Sequence, residues 1–415
     1  MISEVDTVKG FTDYLPPESL KRDKIRKIVE KVYRLYGFLP IETPIIEYDE
    51  TMKPNTLPNE QEDEAVSDRF RLKDRAARSL GLRYEFTFQL SRILKQNPNI
   101  KLPFRRYQIG DVFRDEPIRA GRTRQFTQCD IDILGDSSVN ADAECIAVVA
   151  EIFKELGIEI EIAVNNRKLI NAIIESVELS DRKQVMREID KFEKVGEDMV
   201  KTNLKKYGDA NQIVTLFKLL EKDIKFFKSN AFEGADELIA LQDKLKQYKI
   251  DIKFKPSMVR GLNYYTGNIF EIFIKGTKTA LCAGGRYDKT VGKYINRDIP
   301  AVGISFSLEA LMGLCPEQLS KLPIDQLAKV ALISINKDKE TMQLARNLRA
   351  SNISTLVLAE KPGKILEYAN SYEIPFVIFI GEDEVAKKKF KIRDMKSGEE
   401  KFLVEKSIIS MLKKS

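Results

Sequence analysis

The 415-residue chain contains no histidine and no tryptophan. Without histidine it lacks both the side chain that most often serves as a general base and the commonest metal ligand. Its chemistry must run on arginines, carboxylates and groups brought by the substrate. Cysteine is scarce: Cys129, Cys145, Cys282 and Cys315 are scattered and form no CxxC pair. That excludes a zinc ribbon and a disulfide framework, and fits reduced thiols in a cytoplasmic protein. No apolar run approaches the roughly 20 residues that span a bilayer, so no membrane association is expected. The opening MISEVDTVKGFTDYL lacks the basic-then-apolar order of an export signal. What remains is ordinary for a soluble globular chain, with 43% hydrophobic and 32% charged residues and length for two or three domains. Most of the formal charge of +6 falls in the segment from Gln326 onward. An acidic partner such as RNA would account for it, and so would a lysine-rich solvated surface.

The most informative stretch is Arg106 to Gly135, RYQIGDVFRDEPIRAGRTRQFTQCDIDILG. It reads as two strands, Arg106–Arg114 and Arg124–Leu134, joined by a charged loop. In the second strand Cys129, Ile131 and Ile133 take one face, and Arg124, Phe126, Gln128, Asp130 and Asp132 the other. An exposed hairpin with one wet face would show the same alternation. The density of Arg114, Arg119, Arg122 and Arg124 around Gly121 points further, to forked charge-assisted bonds on a polyphosphate. Asp130 and Asp132 on the same face suit an ammonium group. A surface of both signs fits a zwitterion activated with a nucleotide.

Other segments are less explicit alone. Ser19–Tyr36 carries a helical apolar stripe, followed by a strand broken by Pro40 and Pro44. In LRYEFT, Thr87 reads as an N-cap for a helix from Phe88. Ala141–Leu156 is an amphipathic helix and Ile158–Val164 a short strand. Asn165 to about Tyr248 turns Lys- and Glu-rich with helical periodicity, which predicts a helical insertion. MVRGLNYYTGNIFE brackets two tyrosines with Gly261 and Gly267, and a tight turn on the core would read the same way. From Ala328, strands and helices alternate, which predicts a parallel-leaning sheet covered by helices.

Taken together, these segments carry a family resemblance. The Arg106–Gly135 stretch resembles motif 2 of class II aminoacyl-tRNA synthetases, and QCDIDILG is similar to the archaeal and eukaryotic histidyl-tRNA synthetases. KGFTDYLP resembles the family's KGTRDFLP opening, with Phe11 and Thr12 in place of Thr-Arg. LRYEFT is similar to LRPExT or LRYDLT, MVRGLNYYTGNIFE to RGLDYYTGxxFE with Asn263 for aspartate, and CAGGRYDKTVG to GGRYDxxVG. PAVGISFSLEALMGL resembles motif 3, PxVGxxxGLERL, in a degenerate form. Ser307 replaces glycine there, and Ala310 stands where an ATP-binding arginine belongs.

The resemblance implies an α/β fold whose α+β catalytic domain spans residues 1–325, an antiparallel sheet flanked by helices with an insertion at about 166–250. An α/β anticodon-binding domain is implied at 328–415. It implies a cytoplasmic homodimer, with the helix and broken strand after residue 18 as motif 1 at the dimer interface. The partners would be histidine, ATP with Mg2+, and tRNA(His), and the activity that of a histidine–tRNA ligase. Glu85, Thr87, Gln128 and Asp132 would hold the amino acid, with Tyr264 and Tyr265 at its ring. Arg114 and Arg260 would serve as catalytic residues at the α-phosphate, and Arg122 would lie nearer the pyrophosphate. No metal-ligating residue is assigned. Ala310 supports a rival, a paralogue acting as a histidine or tRNA sensor or as a regulatory subunit.

Overall fold

A computed structural model describes residues 6–52, 68–118, 122–260, 264–323 and 327–414. Arg119, Gly121, Gly261 and Asn263, and the boundary expected at residue 325, lie outside the described residues. The chain divides into two compact units, Met1–Leu322 and Pro323–Ser415.

In the first unit, β1 (Leu39–Pro40) precedes a small sheet of β2 (Ile46–Tyr48), β3 (Arg71–Lys73) and β4 (Ser79–Leu82). The large sheet adds β5 (Phe104–Phe113), β6 (Gln125–Leu134), β7 (Ile160–Asn166) and β8 (Lys253–Phe254). It is completed by β9 (Asn268–Ile274), β10 (Ala280–Arg286) and β11 (Ala301–Ser307). The spatial order is β1-β5-β6-β11-β10-β9-β7-β8. From β5 to β7 every pairing is antiparallel, and only the edge strands β1 and β8 pair in parallel.

The sheet has two unlike faces because its strands alternate. Cys129, Ile131 and Ile133 of β6 are fully buried in the main core. The helix Glu18–Leu35 covers them with Ile25, Val29, Val32 and Tyr33, a stripe at helical spacing, together with the helix Val139–Glu155. Each such large apolar side chain contributes about 1.5–3 kcal/mol on burial. This packed face makes the sheet rigid, so the polar side chains on its other face are held in fixed register.

Between β7 and β8 the described chain is helical, from Arg167–Ser176 to Ala235–Gln247. Asp181, Asp209 and Asp223 cap three of these helices with their carboxylates. Val185, Leu204, Leu216, Phe227 and Leu241 join the same core as the sheet, so the insertion is packed onto the unit and not merely appended.

The second unit holds β12 (Val330–Ser334), β13 (Thr355–Leu358), β14 (Phe376–Ile380), β15 (Phe390–Asp394) and β16 (Glu400–Leu403), in the order β13-β12-β14-β15-β16. The first three are parallel, which the helices between them allow by carrying the chain back across the sheet. The last two form an antiparallel hairpin that the parallel-leaning expectation omitted. The hairpin is lysine-rich and half exposed, so it carries little apolar alternation to read.

Candidate active site

A cavity of about 370 Å3 opens on the polar face of the large sheet. Its wall brings together Glu85, Thr87, Arg114, Arg122, Gln128, Asp132, Arg260, Tyr264 and Tyr265, which come from three separate stretches of sequence. Strand register explains the convergence. Gln128, Asp130 and Asp132 lie two apart on β6, and β11 sets Ser307, Ser305 and Gly303 directly opposite them. On the other side, Arg106 of β5 stands opposite Asp132.

One group of side chains is acidic and aromatic. Asp132 is ion-paired with the fully buried Arg106 and accepts a hydrogen bond from the Tyr287 hydroxyl. Asp130 accepts from Ser305 Oγ at 2.5 Å and from Gln128 Nε2 at 3.1 Å. Burial pushes its carboxyl up to about 7, against the pull of the Arg106 guanidinium. Glu85 rises further, to about 8, through burial and the neighbouring Asp130. Its Oε1 is buried and has no hydrogen-bond partner, and the same holds for Gln128 Oε1. Tyr264 packs against Tyr265 at 4.7 Å between centroids, and against Tyr287 and Phe88 at 5.6 and 6.2 Å. Buried acceptors beside an aromatic wall fit a cationic ligand with a flat ring.

The other group is basic. Arg114 lies 4.3 Å over the Tyr84 ring and 5.0 Å from that of Phe126, and its Nε donates to the Tyr84 carbonyl at 3.3 Å, so its guanidinium is held in the cavity wall. Arg122 is largely exposed and pairs with Glu116 at 3.3 Å. Arg260 pairs with Glu271 at 2.8 Å. Burial alone would weaken its charge, but Tyr265 and Glu271 more than offset this and raise its pKa. Its backbone is left-handed, with φ +65°, a strained conformation for a long side chain. Guanidinium groups at the edge of the cavity can neutralise charge developing on a phosphoryl group.

Thr87 occupies the N-cap position of the helix Phe88–Gln96 but makes no capping bond with its side chain, and it lines the cavity instead. Asp130, read from the sequence as an ammonium acceptor, accepts from protein donors at both of its oxygens. Ser307 caps the helix Leu308–Leu314, its hydroxyl accepting from the Ala310 amide at 3.0 Å. That gives the departure from glycine a local purpose. Ala310 lies in the cavity wall.

The sequence reading missed Arg106, Tyr287, Ser305 and Glu271. Arg106, Tyr287 and Ser305 have partners distant in sequence that only the folded sheet brings near, while Glu271 lies 11 residues from Arg260 within one quoted motif. Arg286, the residue before Tyr287, is ion-paired with buried Asp142. Among the described residues no group of three or more His, Cys, Asp or Glu side chains is placed to hold a metal ion.

An antiparallel sheet of this order, flanked by helices and bearing a helical insertion, is the catalytic fold of class II aminoacyl-tRNA synthetases. The histidyl-tRNA synthetase family model matches residues 10–311, and an anticodon binding domain model matches residues 329–415. The chain is 36% identical to histidine–tRNA ligase 1 of Bacillus cereus, covering 96% of this chain and 94% of the relative. It is 33% identical to histidine–tRNA ligase of Clostridium tetani, covering 97% of each. The crystal structure of histidyl-tRNA synthetase from Nostoc sp. PCC 7120 superposes with a TM-score of 0.86 at 27% identity, covering 99% of both chains. The chain therefore belongs to the histidyl-tRNA synthetase family.

Proposed function

We propose that this protein is a histidine–tRNA ligase acting as a cytoplasmic homodimer. It activates histidine with ATP, and the histidine carboxylate oxygen attacks the α-phosphorus. The bond to pyrophosphate breaks, giving histidyl-adenylate. A ribose hydroxyl of the terminal adenosine of tRNA(His) then attacks the carbonyl and AMP leaves. Residues 1–325 form the catalytic domain in this reading, and 328–415 bind the tRNA. The observation that carries it is the division of one cavity into an acidic, aromatic group and a basic group, which matches a cationic amino acid beside a nucleotide.

Glu85, Thr87 and Gln128 receive the α-ammonium, which supplies the donors that the unpartnered Glu85 and Gln128 oxygens lack. Asp132, Tyr264 and Tyr265 meet the imidazole. Rejection of other side chains follows from leaving those polar groups unpaired. Arg114 and Arg260 neutralise the α-phosphate as the bond changes, and Arg122 faces the leaving pyrophosphate. Positioning and charge neutralisation are what such transfers need, and neither requires a histidine base. Magnesium enters with the nucleotide, as the counter-ion of its phosphates.

Homodimer formation is supported by Ile46 and Tyr48 of β2, large apolar side chains left about half exposed next to the motif 1 segment. The leaning of QCDIDILG toward archaeal and eukaryotic members rests on that one motif, while the relatives named above are bacterial. The sensor reading rests on Ala310 in the cavity wall, and the ligase names of the relatives weigh against it. Histidine-dependent ATP–pyrophosphate exchange decides between the two. Wild type is expected to exchange, and Arg260→Ala to lose about 100- to 1,000-fold in kcat. Absence of exchange in wild type, with histidine still bound and activity gained in Ala310→Arg, would establish the sensor instead.

A further inference from the structure

Gln128 is the one proposed amino-acid ligand whose usefulness depends on which way an amide points. A carboxamide offers an acceptor on one side and two N–H donors on the other. Both donors of Gln128 are already committed. Nε2 donates to Ser305 Oγ at 2.8 Å and to Asp130 Oδ2 at 3.1 Å. Ser305 Oγ in turn donates to Asp130 Oδ1 at 2.5 Å. The three side chains close a ring across β6 and β11, where Ser305 stands directly opposite Asp130. In its ionised form Asp130 accepts at both oxygens, so the carboxylate sets the direction of every bond in the ring.

The ring leaves Gln128 Oε1 buried and unpartnered in the cavity wall, alongside Glu85 Oε1 in the same condition. A buried acceptor left empty is costly, and two of them call for a ligand group with several N–H donors. Turning the amide over would set its oxygen against the Asp130 carboxylate and its N–H groups against an arriving ammonium. Both contacts are repulsive.

We infer that Asp130 and Ser305 are positioning residues for amino-acid recognition, locking the Gln128 amide so that it presents its oxygen to the substrate's α-ammonium. The inference rests on reading the cavity as a histidine site. It adds the orientation of Gln128 and the pair that enforces it. Ser305→Ala removes one leg of the ring without changing charge, and Asp130→Asn puts a donor where the ring needs an acceptor.

Calorimetric titration with three ligands tests this in the full-length protein: histidine, histidinol, and the des-amino acid 3-(imidazol-4-yl)propanoate. Both variants are expected to bind histidine and histidinol at least tenfold more weakly. The des-amino acid, however weakly it binds wild type, should change by less than twofold. In exchange assays KM for histidine should rise while kcat stays within a few-fold, and Ser305→Thr, which keeps the hydroxyl, should stay near wild type. Equal weakening of all three ligands would reduce the ring to a structural prop and overturn the inference. Undiminished histidine binding in both variants would overturn it as well. A wild type that binds no histidine would instead sink the histidine reading, and the inference with it.

Discussion

Glu85 shows how a single side chain can be costly in the empty protein and useful in the loaded one. Burial, reinforced by Asp130, lifts its carboxyl to about 8 against the opposing charge of Arg114. An acid whose folded pKa is raised holds its proton more tightly folded than unfolded. Its contribution to stability is complete below the unfolded value near 4.5 and is lost as pH rises through about 8. An ammonium placed at Oε1 reverses the balance by favouring the carboxylate. The melting temperature of the ligand-free protein should therefore fall between pH 6 and pH 8.5 more steeply in wild type than in Glu85→Gln. The increment produced by saturating histidine should grow over the same range in wild type and be small in the variant. Parallel melting curves for the two proteins would show that Glu85 carries no raised pKa. Glu85 was legible in LRYEFT because its motif is local. The part played by Asp130 was not, since its closest hydrogen-bond partner, Ser305, lies 175 residues away and is brought to it only by strand pairing.

At the scale of elements, β11 is where small side chains and polar side chains must alternate without error. A Cβ added to Gly303 would stand 2.1 Å from Asp132 Oδ1 and 2.9 Å from the Ile131 carbonyl oxygen. Asp132 has little room to yield, because Arg106 and Tyr287 hold its other contacts. Overpacking of this kind costs about 1–3 kcal/mol, and here the strain falls on the proposed ring-binding carboxylate. Gly303→Ala is expected to lower the melting temperature by several degrees and to raise KM for histidine at least tenfold in pyrophosphate exchange. An unchanged KM would show that Asp132 does not meet the substrate. The hairpin of β5 and β6 and the insertion could be read from periodicity, because their apolar residues recur at strand or helical spacing. The hairpin of β15 and β16 could not. Neither strand buries enough apolar surface to leave a pattern, and its place in the sheet is fixed by pairing with β14.

At the scale of the whole molecule, the division of labour follows from where the cores lie. In the first unit the main core reaches from the helix Glu18–Leu35 to Leu319, and a second cluster backs the tyrosines of the cavity. The second unit has its own two clusters, one on each face of its sheet, built on Val330, Leu332 and Ile378 and on Ala331, Ile333 and Val377. A stretch of chain with its own core, and of a length typical of domains, can fold alone. Every residue proposed to touch histidine or ATP lies in the first unit. Residues 1–322 alone should therefore keep histidine-dependent pyrophosphate exchange within a few-fold of the full chain. Their charging of tRNA(His) should fall at least 100-fold in kcat/KM, because only the second unit matches an anticodon binding domain. The loss should lie in tRNA affinity and ease as tRNA concentration rises, since the adenylate is still made. Equal charging by the two proteins would show that the second unit does not carry tRNA recognition. Loss of exchange together with charging, in a fragment that still melts cooperatively, would show that the catalytic cavity depends on the whole chain.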